Sequence, residues 1–200
     1  GGDFWPGPLD VNSATANDQI CAEYDRIWDV KRADVLKFIA YYECYVDPQC
    51  NPSDLYPGYV IPRDIREWPG NRPDNSPEQL APYYDRNSDG FYNVLDGDYP
   101  LIDVGESLDC QTDDYLLGDQ NLWWVFNDAG NEHTLSGTEQ MGVEVQAQAY
   151  ALATNDELND MTFYSYKIIN RSNSTYEDFY FGTLFDVDLG FYGDDFVGFD

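Results

Sequence analysis

Residues 51–100 carry eight prolines, at positions 52, 57, 62, 69, 73, 77, 82 and 100. A proline fixes its own φ, donates no backbone hydrogen bond and biases the residue before it away from helix. This stretch can therefore hold neither a long helix nor a central strand, since proline is tolerated only in first turns, at sheet edges and in loops. A run of that length without regular structure is held by something other than a backbone ladder, and such runs are usually functional. It divides the chain into residues 1–50, 51–118 and 119–200, expected to pack as one unit.

The flanking stretches read differently. Residues 1–16 are rich in Gly, Pro and Asn and show no period, which predicts an extended arm lying on the surface or on a neighbouring element. Ile20, Tyr24, Ile27 and Trp28 recur as one apolar face of a helix would, with Asn17 or Asp18 as N-cap. Val35, Phe38, Ile39 and Tyr42 repeat the pattern, so two short helices are expected, separated near residues 29–32.

Beyond residue 119 the period changes to two. Residues 122–126 form an aromatic run, and Met141, Val143, Val145, Ala147, Ala149 and Ala151 alternate with polar or bulkier partners. Residues 163–169 and 179–187 repeat the alternation after turns at 155–156 and 171–173. The expected class is mainly β: an antiparallel β-sandwich with two short N-terminal helices and a long proline-rich, calcium-stabilised loop region.

Calcium enters through residues 85–96. Counted from Asp85, side-chain oxygens fall at positions 1 (Asp85), 3 (Asn87), 5 (Asp89), 9 (Asn93) and 12 (Asp96), with Gly90 at 6 and the Phe91 carbonyl at 7. That is the ligand spacing of a calcium loop. Asp96 is one methylene shorter than the usual glutamate, and Gly97 and Pro100 prevent a following helix. A structural Ca2+ is therefore expected, without the helix opening of a sensor. Asp186, Asp188, Asp194, Asp195 and Asp200 form a second acidic cluster around Gly190 and Gly193. They are a candidate second cation site, although their spacing fits no fixed template and a solvated acidic loop explains them equally.

Composition narrows the function. Thirty-eight acidic against ten basic residues give a formal charge of −28, which opposes nucleic acid and anionic lipid and is relieved by divalent cations held between carboxylates. At 42 % hydrophobic and 16 % aromatic residues the chain is nevertheless expected to fold. No apolar run reaches membrane-span length and no charged-then-apolar leader opens the chain, so a mature or excised segment without membrane insertion is expected.

The four cysteines, Cys21, Cys44, Cys50 and Cys110, form no Cys-x-x-Cys pair, and His133 is the single histidine. Disulfides are the better reading than zinc, and they imply an oxidising, extracytoplasmic compartment. Cys44 and Cys50 close a small loop around Pro48, leaving Cys21 with Cys110, though all three pairings are formally open.

Asp128, His133 and Ser136 could compose a hydrolytic triad but crowd into one short loop without a nucleophile elbow, so no catalytic residue is assigned. Trp5, Trp68, Trp123 and Trp124 could stack on pyranose rings, which makes a carbohydrate-binding module or part of a polysaccharide-degrading enzyme the alternative reading. Trp123 and Trp124 should point to opposite sides of a strand.

The segments Asp3-Phe4-Trp5-Pro6-Gly7-Pro8-Leu9-Asp10, Cys21-Ala22-Glu23-Tyr24-Asp25-Arg26-Ile27-Trp28, Glu67-Trp68-Pro69-Gly70-Asn71, residues 85–100, Trp123-Trp124-Val125-Phe126-Asn127-Asp128 and Asp194-Asp195-Phe196-Val197-Gly198 follow in that order. In this the chain resembles large secreted proteins of Bacteroidota that look like type IX secretion substrates with a C-terminal sorting domain. The resemblance spans essentially the whole chain and brings no catalytic residues with it. It departs in the Cys44 to Cys50 insertion and in Phe199, where a cysteine is common. It implies an extracellular or outer-cell-surface, structural or adhesive protein. The implied partners are other domains of the same longer chain, further copies in an extracellular assembly, or surface glycans.

Overall fold

The computed structural model describes residues 2–102, 116 and 118–182. One antiparallel sheet dominates them. Its centre is β5 (Gln120–Asn127), which pairs along one edge with β6 (Val143–Ala151); β6 pairs in turn with β7 (Thr162–Asn170). Along the other edge of β5 two short strands lie end to end. These are β1 (Trp5–Pro6), opposite Asn127 and Phe126, and β2 (Trp28–Lys31), opposite residues 120–123. The start of the N-terminal arm is thus laid along the sheet edge, while residues 10–15 fold into a turn closed by the Ala14 N–H to Asp10 carbonyl bond.

The helices depart from the sequence reading. α1 (Asp18–Glu23) begins at the N-cap Asn17, whose side chain accepts from the Ile20 N–H at 2.8 Å, a cap contributing about 1 kcal/mol. It ends four residues before Ile27, which is exposed, while Trp28 opens β2. Tyr24 and Trp28 still meet in the core, with ring centroids 5.6 Å apart, but they arrive from a helix cap and from a strand. Pairing with β5 satisfies one edge of 28–31, the Asp29 N–H on the other edge going to Asp64 at 3.1 Å, and sets Trp28 directly opposite Trp123, which a continued helix would not do.

α2 (Arg32–Val46) follows β2 without a break and runs fifteen residues, so the second helix is long rather than short. Between α2 and the sheet lies the core, built from Trp28, Val30, Val35, Phe38, Trp123 and Val125, and completed by Ile65, Trp68, Leu80, Tyr83, Tyr92 and Tyr99 of the proline-rich stretch. All three stretches contribute to it. Within 51–102 only α3 (Pro52–Leu55), α4 (Arg63–Arg66), β3 (Tyr83–Tyr84), β4 (Tyr99–Pro100) and one 3-10 turn, Val94–Asp96, form, as the prolines require.

Of the strand expected at 179–187, residues 179–182 have no regular structure and the remainder lies outside the described residues. Among the described residues no helix is long and apolar enough to cross a membrane.

A candidate metal-binding loop

β3 and β4 pair antiparallel, Tyr83 opposite Pro100 and Tyr84 opposite Tyr99, and the latter rings stack at 4.8 Å. This two-stranded ribbon closes residues 85–98 into a hairpin loop. Inside it short polar side chains replace the missing ladder. Asp85 accepts from the N–H groups of Asp89 (3.3 Å) and Gly90 (2.8 Å). Asn87 accepts from Asp89 N–H at 3.1 Å, and Asp89 from Phe91 N–H at 2.8 Å. The Asn87 amide donates to the Asp89 carboxylate at 3.0 Å. Ser88 (φ 59°) and Gly90 (φ 83°) both adopt left-handed backbone, which folds the loop back on Asp85.

Asp85, Asn87 and Asp89 are thereby brought together, with oxygen lone pairs left over after the backbone bonds. Phe91 is exposed, its side chain turned outward. At the far end of the loop, Asn93 caps the 3-10 turn through Leu95 N–H and donates to Asp96 at 2.6 Å. Asp96 is thus held by Asn93, and the structure does not gather it with the first three. Among the described residues no three His, Cys, Asp or Glu side chains converge tightly enough to hold an ion. The chemistry of the donor set, hard oxygens only, fits Ca2+ in its first half and is incomplete at its twelfth position.

Beneath the loop sits Asp98, fully buried, accepting from Arg86 N–H at 2.9 Å and Asn93 N–H at 2.8 Å. Burial pushes its carboxyl above the ordinary range; the two N–H bonds pull back, and the charges of Asp85 and Asp89 push it further up. Among the described residues Asp85, Asp89, Asp96 and Asp98 form no ion pair, and the cation within the loop, Arg86, lies over the Tyr42 ring of α2 at 5.1 Å. The loop thus concentrates negative charge without an ion pair and touches α2 through Arg86 and Gly97, both against Tyr42. Asp186, Asp188, Asp194, Asp195 and Asp200 lie outside the described residues.

The Cys44–Cys50 disulfide forms. Among the described residues Cys21 is a half-buried thiol without a disulfide partner; Cys110, its expected partner, lies outside the described residues. Cys21 sits in α1, whose short length places it beside Gly7 on the sheet-edge arm.

The loop around His133 is a staple. The Asp128 carboxylate accepts from Met141 N–H (2.6 Å) and Val143 N–H (2.7 Å), and His133 Nε2 bonds the Asp128 backbone carbonyl at 2.6 Å. The Ser136 hydroxyl meets Thr138 at 2.8 Å and not the imidazole. The tryptophans also turn inward: Trp28, Trp68 and Trp123 are buried, the first two donating their indole N–H to the carbonyls of Glu67 (2.7 Å) and Pro82 (2.9 Å). Trp124 lies on the opposite sheet face and Trp5 stacks on His133.

One buried cluster had no signal in the sequence. Glu144 of β6 and Arg72 of the proline-rich stretch, both fully buried, pair at 2.9 and 3.0 Å. Glu144 also accepts from Leu9 N–H at 2.9 Å and from Arg171 at 3.1 Å, and Arg171 holds Glu78 through two bonds of 2.8 Å. The N-terminal arm, the proline-rich stretch, β6 and the residue just after β7 meet at this one carboxylate.

Compared with models of known protein families, with curated proteins and with solved structures, the chain matches none.

Proposed function

We propose that this chain is a non-enzymatic, calcium-stabilised structural or adhesive region of a secreted, surface-attached protein. The observation that carries the reading is the uncompensated charge of the 85–98 loop. Asp85, Asn87 and Asp89 are gathered by their mutual hydrogen bonds near buried Asp98, and among the described residues none of the three carboxylates is in an ion pair. A hard divalent cation relieves that repulsion, and bringing Asp96 off Asn93 would complete the ligand set. The loop already makes the hairpin that a metal would otherwise have to impose, so the ion's role is to fix it against α2. The Cys44–Cys50 bond supports an oxidising exterior, where calcium fills even a site of about millimolar affinity.

The architecture we propose is one half of a β-sandwich. The second sheet face carries Leu122, Trp124 and Phe126 of β5, Val145 and Ala147 of β6, and Tyr164, Tyr166 and Ile168 of β7. Tyr164 and Tyr166 are exposed, and a cleft of about 730 Å³ opens along this face beside Phe126, Val145 and Ile168. So apolar a face supports a covering layer.

The test is calorimetric titration of the reduced-calcium protein with Ca2+ and Mg2+, beside Asp85→Ala/Asp89→Ala. Calcium binding that the double variant abolishes is expected. Absence of any heat or thermal shift up to extracellular calcium levels refutes the metal assignment and with it this function.

A further inference from the structure

Five tyrosines form a continuous aromatic surface where α2 meets the turn after α3. Tyr41 and Tyr45, one helical turn apart, lie parallel at 6.5 Å, and Tyr42 adjoins Tyr45 at 6.2 Å. Tyr56 and Tyr59 fold back on Tyr41 at 5.8 and 4.8 Å. The Cys44–Cys50 disulfide fixes the bend that presents them. Tyr45 is 63 % exposed, its neighbour Val46 is largely so, and Tyr41, Tyr56 and Tyr59 are half-buried; Tyr42 is the member that packs against the core.

Two cations of the chain already sit on its margins. Lys37 Nζ lies 5.1 Å over the Tyr59 ring and the Arg86 guanidinium 5.1 Å over Tyr42. Among the described residues Tyr41, Tyr45 and Tyr56 carry no such cation. Between residues 33 and 60 the acids Asp34, Glu43, Asp47 and Asp54 stand against Lys37 alone, four charges against one. None of those four carboxylates is in an ion pair among the described residues.

We propose that this tyrosine face is a docking surface for a cationic, lysine- or arginine-rich segment of a partner protein. Ring faces attract ammonium and guanidinium groups, as Lys37 and Arg86 display, and the acidic excess of this stretch, with Asp34 acting on Tyr59, adds charge complementarity. The net −28 of the chain steers such a partner toward it. A second copy of this chain is disfavoured by the same net charge, which repels its like. The inference names a partner chemistry for the adhesive role proposed above and is independent of calcium at the 85–98 loop.

The experiment uses the intact chain with oligoarginine and with a neutral glycine-serine peptide of equal length, at two salt concentrations and with calcium chelated. Oligoarginine should bind and the neutral peptide should not, and in wild-type NMR spectra the shifts should centre on Tyr41, Tyr45 and Tyr56. Tyr45→Phe should keep the affinity, and Tyr45→Leu should lower it about 2- to 5-fold, the share of one exposed ring. Equal affinity of Tyr45→Leu and wild type, or shifts confined to residues 85–98, would leave only the general acidic field and overturn the proposal. Tighter binding of a neutral oligosaccharide than of oligoarginine at these rings overturns it in favour of a glycan site. Because the NMR arm reads the wild-type protein, a misfolded variant does not remove the test.

Discussion

Glu144→Gln removes one charge from the most buried polar cluster while keeping its shape. Glu144 and Arg72 have no exposed side-chain surface, and Arg171 is nearly as enclosed. Taking away the carboxylate leaves two guanidinium groups short of a partner in a site without water access, and breaking a buried pair this way costs about 3–5 kcal/mol. Asp74 still faces Arg72 at 3.3 Å and Glu78 still holds Arg171, which puts the expected loss near the lower figure, about 3 kcal/mol. For a chain of this size that is roughly 6–12 °C in melting temperature.

Urea unfolding is the assay, since guanidinium salt would screen the interaction under test. The pH dependence follows from the direction of the shift. Burial raises the Glu144 carboxyl, but the hydrogen bonds and charge of Arg72, then of Arg171, outweigh it and hold it below its ordinary 4.5. A depressed folded-state pKa gives stability that is present above about 4.5 and lost as pH falls through the folded value. The gap between wild type and Glu144→Gln should therefore be full at neutral pH and shrink in acid. Exposed Glu43→Gln, as control, should change stability by less than about 0.5 kcal/mol. A Glu144→Gln loss under about 1 kcal/mol at pH 7, or a gap unchanged from neutral pH to the acid limit of folding, would refute the account.

Three further outcomes are expected. At 10 mM calcium, about tenfold to a hundredfold above the dissociation constants typical of extracellular sites, the wild type should gain about 1–3 kcal/mol over the chelated protein, and Asp85→Ala/Asp89→Ala none, read by thermal melting. Cys44→Ser/Cys50→Ser should cost about 2 kcal/mol, the loop-closure entropy of so short a loop, measurable as a lower urea midpoint at unchanged slope. Asp98→Ala strands the Arg86 and Asn93 amides, so their hydrogen exchange should accelerate about tenfold or more while that of β5 and β6 changes little.

Where a local rule forces the outcome, sequence and structure agree. The prolines limit residues 51–102 to short elements, Asn17 caps α1, β5 falls on the aromatic run and β6 and β7 on the alternating ones. The alternation of β6 nevertheless misled about environment. Its polar positions, Glu144, Gln146 and Gln148, are buried on the face that carries Trp123 and Val125, while Val145 and Ala147 line the second face. Period two identifies a strand and splits its residues between two faces; it does not state which face meets the core. That depends on whether a guanidinium arrives to satisfy the carboxylate, and Arg72 is seventy-two residues away in sequence.

The site divides the same way. Spacing alone drew attention to residues 85–96, and the hairpin, the left-handed Ser88 and Gly90 and the clustered Asp85, Asn87 and Asp89 all follow from steric and hydrogen-bonding rules acting within a few residues. The buried Asp98 beneath the loop, Arg86 drawn onto Tyr42, and the five-tyrosine face needed the folded chain, because they join α2 to segments that only packing brings near. By itself the sequence determined where the backbone can be regular, which termini are capped and which short loop concentrates oxygen ligands, since those depend on neighbours within one turn. Tertiary structure alone decided that Trp28 is a strand residue opposite Trp123 and that Glu144 is an internal anchor. Burial energy and charge pairing are properties of contacts across the fold, and no local pattern records them.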